Sequence, residues 1–278
     1  MAGSMKLDRQ AGSGQDPLNK ATQGVDKTLT KGLLLLEAIS RSERSRGVSD
    51  LASELSLTRS NVHRLLQTLI ASGFVSREVG GDRYVLTSKL WRLSRMQRHH
   101  NALLSLVHPV LSEFVAETGE SAAFAIVEGK NIVMIDQVET PHSVRVFYSV
   151  GDTHPVDHVL LSGRGISALQ LVVYAFRPKA EVLRALETIS QELGHPPSYV
   201  TDQMARIDVV RREGHALVQG EWVEGANAVA AAVTGKDGEL VGIMVSFGPA
   251  HRMPPSVLEA LRLSTCQAAA RLSAQLVN

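Results

Sequence analysis

The side chains with the most chemistry to offer lie in two stretches. In the first, Arg59, Ser60, Asn61, His63, Arg64 and Gln67 interleave with Val62, Leu65, Leu66, Leu69 and Ile70, which recur at i, i+3, i+4, i+7 and i+8. On a helix the five apolar residues form one stripe, and at about 100° per residue Ser60, Arg64 and Gln67 point within about 40° of the opposite direction. That outward face carries the donors that read base edges and phosphates in duplex DNA. The second stretch holds His154, Asp157 and His158, which are metal-ligand types within five residues. No HExxH, GxSxG or phosphate-binding glycine loop accompanies them, so a metal site or catalytic loop stands as the alternative to a loop lining a pocket. Cys266 is the single cysteine, which excludes an internal disulfide and zinc-finger spacing.

The elements around the first stretch predict how it is presented. A helix is expected over Thr28 to Ser40, then a charged loop at 41–47, a short helix from Ser49 to Leu55, and the helix of 58–72 with Thr58 as its cap. After Gly73, two short strands flank a turn at Gly80 and Gly81, which puts Arg83 on the returning strand, aimed at the DNA backbone or minor groove. Three helices and a hairpin in this order read as a winged helix-turn-helix. A connecting helix over 88–98 should break at His99, His100 and Asn101. Leu90, Trp91 and Leu93, with the amphipathic helix from Leu103 to Thr118, are the expected seam between two copies. Strands are predicted at 121–128, 131–138 and 143–150, helices at 159–174, 179–193 and 202–213, strands near 214–219, 227–234 and 240–247, and a closing helix from Pro255. This mixture reads as an α+β domain, with Trp91 and Trp222 as packing residues, one between domains and one at the sheet edge.

Charge separates the two parts. Residues 27–100 hold 13 Lys and Arg against 6 Asp and Glu, and residues 101–278 hold 13 against 19. A basic unit that meets a polyanion, joined to an acidic unit that avoids one, gives this asymmetry. With 44% hydrophobic and 21% charged residues the chain excludes collagen, rods and wholesale disorder, and no run of 18 apolar residues or apolar signal core is present. A cytoplasmic protein with no membrane partner is therefore expected. The polar residues 1–26 are expected to form a disordered tail. An architectural nucleoid protein is the third class, against which the large acidic part weighs.

Residues 28–278 resemble the IclR family of bacterial transcriptional regulators. The resemblance rests on TRSNVHRLLQTLIASGFV (58–75), DRYVLT (82–87), EGANAVAAAV (224–233) and SFGP (246–249). It implies an N-terminal winged helix-turn-helix (27–87), a linker helix (88–101) and a C-terminal effector-binding domain of GAF-like α+β fold (102–278). It also implies a small effector lying against one face of the sheet, its anionic end at backbone amides that start the helix after a ProLeuHis-type loop. Residues 150–165 match that loop, one residue longer than the usual pattern and with Arg164 where Lys is common. Leu161, Ser162 and Gly163 align with the amides, and His158 belongs to the same loop. Val218, Ala228, Val245 and Phe247 align with positions where the family often has an acid, a cysteine and two hydroxyls, which implies a more apolar effector or a pocket filled by the protein itself.

The expected function is that of a DNA-binding regulator, more a repressor than an activator, acting as a homodimer or homotetramer on a palindromic operator and modulated by a small organic effector. No cofactor, metal or catalytic residue is expected.

Overall fold

The computed structural model describes residues 26–42, 44–95, 98–158, 165–196 and 198–277, the side chains of 95 and 98–101 excepted. The expected tail at 1–26 thus falls outside the described residues except for Asp26, and so do Leu161, Ser162, Gly163 and Arg164. Two compact units meet at residues 101 and 102.

The N-terminal unit contains α1 (Lys27–Ser40), α2 (Val48–Glu54), α3 (Arg59–Ala71), β1 (Val75–Arg77), β2 (Tyr84–Leu86) and α4 (Lys89–Arg95). Asp26 caps α1 by accepting from the Thr28 and Leu29 amides at 2.7 and 3.0 Å. Thr58 caps α3, its hydroxyl accepting from the Asn61 amide at 3.2 Å. Between α2 and α3 the chain reverses through Ser56, which sits at φ 53°, and the Leu57 amide donates to the Ala52 carbonyl. β1 and β2 pair antiparallel with Val75 opposite Leu86, and Arg46 exchanges two backbone bonds with Tyr84, so the loop after α1 is stitched to the hairpin. Leu35, Leu51, Leu66 and Tyr84 are fully buried at the centre of this unit.

Helix α5 (Arg98–Thr118) leads into the C-terminal unit. The expected break at His99, His100 and Asn101 is absent, because those residues are the first turn of α5. The apolar stripe of α5, including Val107, Leu111 and Phe114, is buried against the sheet of its own chain. That stripe is therefore not available to a second copy, and the expected seam reduces to Leu90, Trp91 and Leu93 on α4.

The sheet has six antiparallel strands, β3 (Ser121–Glu128), β4 (Asn131–Val138), β5 (Thr153–Pro155), β6 (His215–Gln219), β7 (Ala226–Thr234) and β8 (Leu240–Pro249), in the order β5-β4-β3-β8-β7-β6. Side chains alternate between its faces. Ala122, Phe124, Val229 and Met244 pack under α5 and α9 (Pro255–Val277), whereas Ala123, Ala125, Ala230 and Val245 pack under α6 (Ala168–Ala175), α7 (Lys179–Leu193) and α8 (Ser198–Glu213). Both faces are covered, so these strands read as nearly continuous apolar runs. Among the described residues no helix is long and apolar enough to cross a membrane.

One predicted strand is missing. Residues 143–150 have a period-2 pattern but form no ladder, because the edge beside β4 is taken by β5, whose His154 lies opposite Ile132. The segment is held otherwise. Arg252 donates to the Val144 carbonyl and makes a two-pronged bond to the buried Glu120 carboxylate at 2.7 and 2.8 Å. Gly248 keeps that pairing possible, since a Cβ there would lie 2.5 Å from Glu120 Oε2. Of the helix predicted over 159–174, residues 159–164 lie outside the described residues, 165–167 are not helical and α6 starts at Ala168, while α8 starts four residues before its predicted position.

Replacing Thr58 by Ala removes the cap of α3 and leaves an amide unpaired. The expected result is about 1 kcal/mol lost from the N-terminal unit's transition in urea, with far-UV circular dichroism unchanged in buffer.

Candidate functional site

On α3 the buried residues are Val62, Leu65, Leu66 and Leu69, with Ile70 half-buried beside them. Burying that stripe turns Arg59, Ser60, His63, Arg64 and Gln67 outward, all exposed, with Asn61 half-buried at the helix start. Neighbouring cations are engaged. Arg46 pairs with Glu54, and Arg83 donates through Nε to the Ser45 carbonyl at 2.9 Å and lies 3.5 Å from Asp50. Among the described residues neither Arg59 nor Arg64 is paired with a carboxylate. Arg83 thus braces the hairpin against the loop after α1, with part of its guanidinium still exposed.

In the C-terminal unit the ladder makes neighbours of residues far apart in sequence. Val218 of β6 lies opposite Ala228 of β7, and Ala228 opposite Phe247 of β8, so the three form one row across the sheet. Val245 follows two residues along β8 on the same face, opposite Ala230. These four line one cavity together with Tyr148, Trp222 and the first turn of α6. The cavity measures about 20 Å³, room for a single water.

The space is filled by aromatic rings. Tyr148 stacks on Trp222 with centroids 5.5 Å apart and planes 11° from parallel, and presents its edge to Phe247 at 4.7 Å. His154 meets Tyr148 edge-on at 5.6 Å and Trp222 at 6.2 Å. Neither His154 ring nitrogen is solvated or hydrogen-bonded. An unpaired buried polar atom of this kind costs about 1–3 kcal/mol. Burial holds the His154 pKa below the ordinary imidazole value, with Asp152 pulling the other way, so the ring is neutral at pH 7. Burial, seconded by Asp152, pushes the Tyr148 phenol well above its usual range and keeps it protonated.

Sequence proximity does not carry His154, Asp157 and His158 to one point. Asp157 pairs with Arg177 at 2.8 Å, and exposed His158 lies 3.4 Å from Glu192. His158 borders a different, open groove of about 650 Å³ with Lys130 and Arg184, so its expected place beside Val218, Ala228, Val245 and Phe247 is corrected. The cause is local. Gln170, in a capping box with Ser167, donates to the Val156 and His158 carbonyls, and the Tyr174 hydroxyl donates to Val156, which fixes this segment by its backbone. Among the described residues no group of three acidic, His or Cys side chains is placed to hold a metal.

Trp222 and Tyr148 line the cavity although sequence reasoning did not assign them to it, and His154, which was read with Asp157 and His158 as part of a pocket-lining loop, packs against their rings without lining the cavity itself. Trp222 was expected to pack at the sheet edge, and its lone signal was its place in the six-residue connection between β6 and β7. Tyr148 was expected on a strand.

Residues 28–78 match the family model of the IclR helix-turn-helix domain, and residues 96–274 that of the C-terminal part of the bacterial transcriptional regulator IclR. The transcriptional repressor IclR of Escherichia coli strain K12 is 27% identical over 233 residues, covering 83% of this chain and 82% of that protein. The glycerol operon regulatory protein of Streptomyces griseus is 28% identical over 242 residues, covering 86% and 91%. An IclR homolog from Microbacterium hydrocarbonoxydans, solved in complex with 4-hydroxybenzoate, superposes with a TM-score of 0.70 at 18% identity, covering 90% of this chain and 98% of that one.

His154 also sets a pH dependence. Its depressed folded-state value means that below about pH 6.5 the unfolded chain takes up a proton that the folded chain refuses, so stability falls as pH drops through that window. His154→Phe removes this contribution. Thermal melts at pH 7.5 and 5.5 should show the variant gaining on the wild type at the lower pH, and parallel losses would contradict the assignment.

Proposed function

The chain belongs to the IclR family of bacterial transcriptional regulators, and on that premise we propose that it represses transcription by binding a palindromic operator as a homodimer or homotetramer, in the cytoplasm, under the control of a small organic effector. Family members are regulators rather than enzymes, and repressors are found among the relatives. The observation that carries the DNA-binding reading is the outward face of α3, where among the described residues Arg59 and Arg64 have no carboxylate partner while Arg46 pairs with Glu54 and Arg83 with Asp50. In this reading Arg59, Ser60, Asn61, His63, Arg64 and Gln67 enter the major groove, and the exposed part of Arg83 faces the DNA backbone. One winged unit spans too few base pairs for a specific site, so two are paired. Leu90, Trp91 and Leu93 on α4 are 37%, 61% and 45% exposed, which supports this helix as the seam.

The Val218–Ala228–Phe247 row with Val245 supports an effector with an apolar body, aromatic or acyl. A carboxylate pressed against that row would lose its hydration without gaining a donor, whereas apolar surface buried there stabilises by about 25 cal/mol per Å². The 4-hydroxybenzoate carried by the Microbacterium homolog is an aromatic acid of this kind. The anionic end of the effector is assigned to the amides of Leu161, Ser162 and Gly163, as the family pattern suggests.

The DNA-binding reading is tested with a duplex selected from a random library. Arg64→Ala should weaken binding at least tenfold in a folded protein, and Arg83→Gln should lower the slope of log K against log salt by about one unit. Unchanged affinity for Arg64→Ala refutes the assignment of α3.

The effector reading is tested by thermal shift. Benzoate and medium-chain acyl compounds should stabilise the protein more than glyoxylate or pyruvate, and Ala228→Asp should abolish the effect. Preference for glyoxylate or pyruvate overturns the apolar-effector reading.

A further inference from the structure

The apolar row cannot accept a ring-sized ligand as it stands. The cavity above Val218, Ala228 and Phe247 holds no more than a water, because Tyr148 and Trp222 occupy the rest. A ligand that enters must take the place of at least one of these rings, and their stacked, parallel planes define a flat slot. An aromatic ring fits that slot without leaving a void, which a branched body would not.

What such a ligand meets next is His154. The residue lies on β5 opposite Ile132, a member of the core cluster that includes Val218 and Phe247, so it belongs to the same face of the sheet as the row. Its plane stands at 89° to that of Tyr148 and 90° to that of Trp222, with centroids 5.6 and 6.2 Å away, so it packs against both of the rings a ligand displaces. Both nitrogens lack a partner. The nearby Asp152 carboxylate, which accepts from the Ser149 amide at 2.7 Å, acts on the ring through space but forms no hydrogen bond to either nitrogen. His108 and His158 differ, each having a ring nitrogen directed at a carboxylate. His195 also has an unpaired buried nitrogen, but it stacks on Tyr199 beside α8 and does not touch the cavity's rings.

A neutral imidazole offers one donor and one acceptor. A hydroxyl satisfies either nitrogen, a carboxylate satisfies the N–H, and a methyl group satisfies neither. We propose that His154 reads the polar substituent of the effector, which is a planar aromatic ring carrying a hydroxyl or carboxylate, with the ring replacing the Tyr148–Trp222 stack and the substituent bonded to the imidazole. The inference rests on the reading of this pocket as the effector site and adds a residue and a ligand class to it.

The experiment is calorimetric titration of the full chain with phenol, benzoate and toluene, for wild type, His154→Phe and His154→Gln. Phenol and toluene have nearly the same shape and differ in the substituent's hydrogen bonding. Wild type should bind phenol and benzoate at least tenfold more tightly than toluene. His154→Phe should bind all three within about twofold of one another, and His154→Gln, which keeps a donor and an acceptor, should recover part of the preference. If His154→Phe fails to fold, His154→Leu serves as the apolar replacement. A preference retained in the apolar variant, or toluene bound by wild type as tightly as phenol and benzoate, overturns the role of His154 and leaves the effector pocket standing. Binding of none of the three to wild type overturns the inference together with the aromatic reading of the pocket.

Discussion

A sheet with two apolar faces cannot leave either of them in water, and this constraint organises the C-terminal unit. Helices α5 and α9 cover one face from end to end, while α6, α7 and α8 cover the other. Short side chains on β7, Ala228, Ala230 and Ala232, keep that second face low. Tyr148 and Trp222 are carried in by connections rather than by helices and cover what remains, the row of Val218, Ala228 and Phe247. The Glu120–Arg252 pair and the Arg252 bond to the Val144 carbonyl fix one end of the segment that delivers Tyr148.

The same logic of burial fixes the N-terminal unit. Once Val62, Leu65, Leu66 and Leu69 are buried, helix geometry leaves no choice about where Arg64 and Gln67 point. The basic excess of residues 27–100 then sorts itself into two uses. Arg46 and Arg83 tie the loop after α1 to α2 and the hairpin, while Arg59 and Arg64 remain on the surface of α3 without carboxylate partners. Net charge alone does not distinguish structural cations from binding ones, whereas the pairing pattern does.

Local period was enough to read most elements. α7, β3 and β4 have the bounds that their patterns predict, because each is amphipathic or apolar over its whole length with a clear break at both ends. Period failed where two answers satisfy it. Residues 143–150 alternate like a strand, yet whether an alternating segment joins a sheet depends on a free edge, and the three-residue β5, too short to give a periodic signal, takes the edge beside β4. The pocket shows the same division. Val218, Ala228, Val245 and Phe247 were legible as a set through the family pattern, and the ladder brings them together. Tyr148 from the β4–β5 connection, His154 from β5 and Trp222 from the β6–β7 connection converge, and the position of His158 follows from Gln170 and Tyr174 gripping backbone carbonyls that no side-chain pattern reveals.

With this cavity proposed as the effector site, the rings that plug it bear on how such a regulator would respond. The rings of Tyr148 and Trp222 are tethered to the site and compete with any ligand for the same apolar surface, so apparent affinity is the intrinsic affinity reduced by the fraction of molecules in which the rings have moved aside. Apolar contact alone gains little in that competition, because ligand and plug bury similar surface. The difference between the two states must come from something the plug leaves undone, and the unpaired imidazole of His154 is such a term. An apolar ligand therefore exchanges like for like, whereas a ligand that also satisfies His154 shifts the equilibrium toward the open arrangement. On the proposed reading, selectivity is set less by the row that the ligand covers than by the polar group that the plug fails to satisfy.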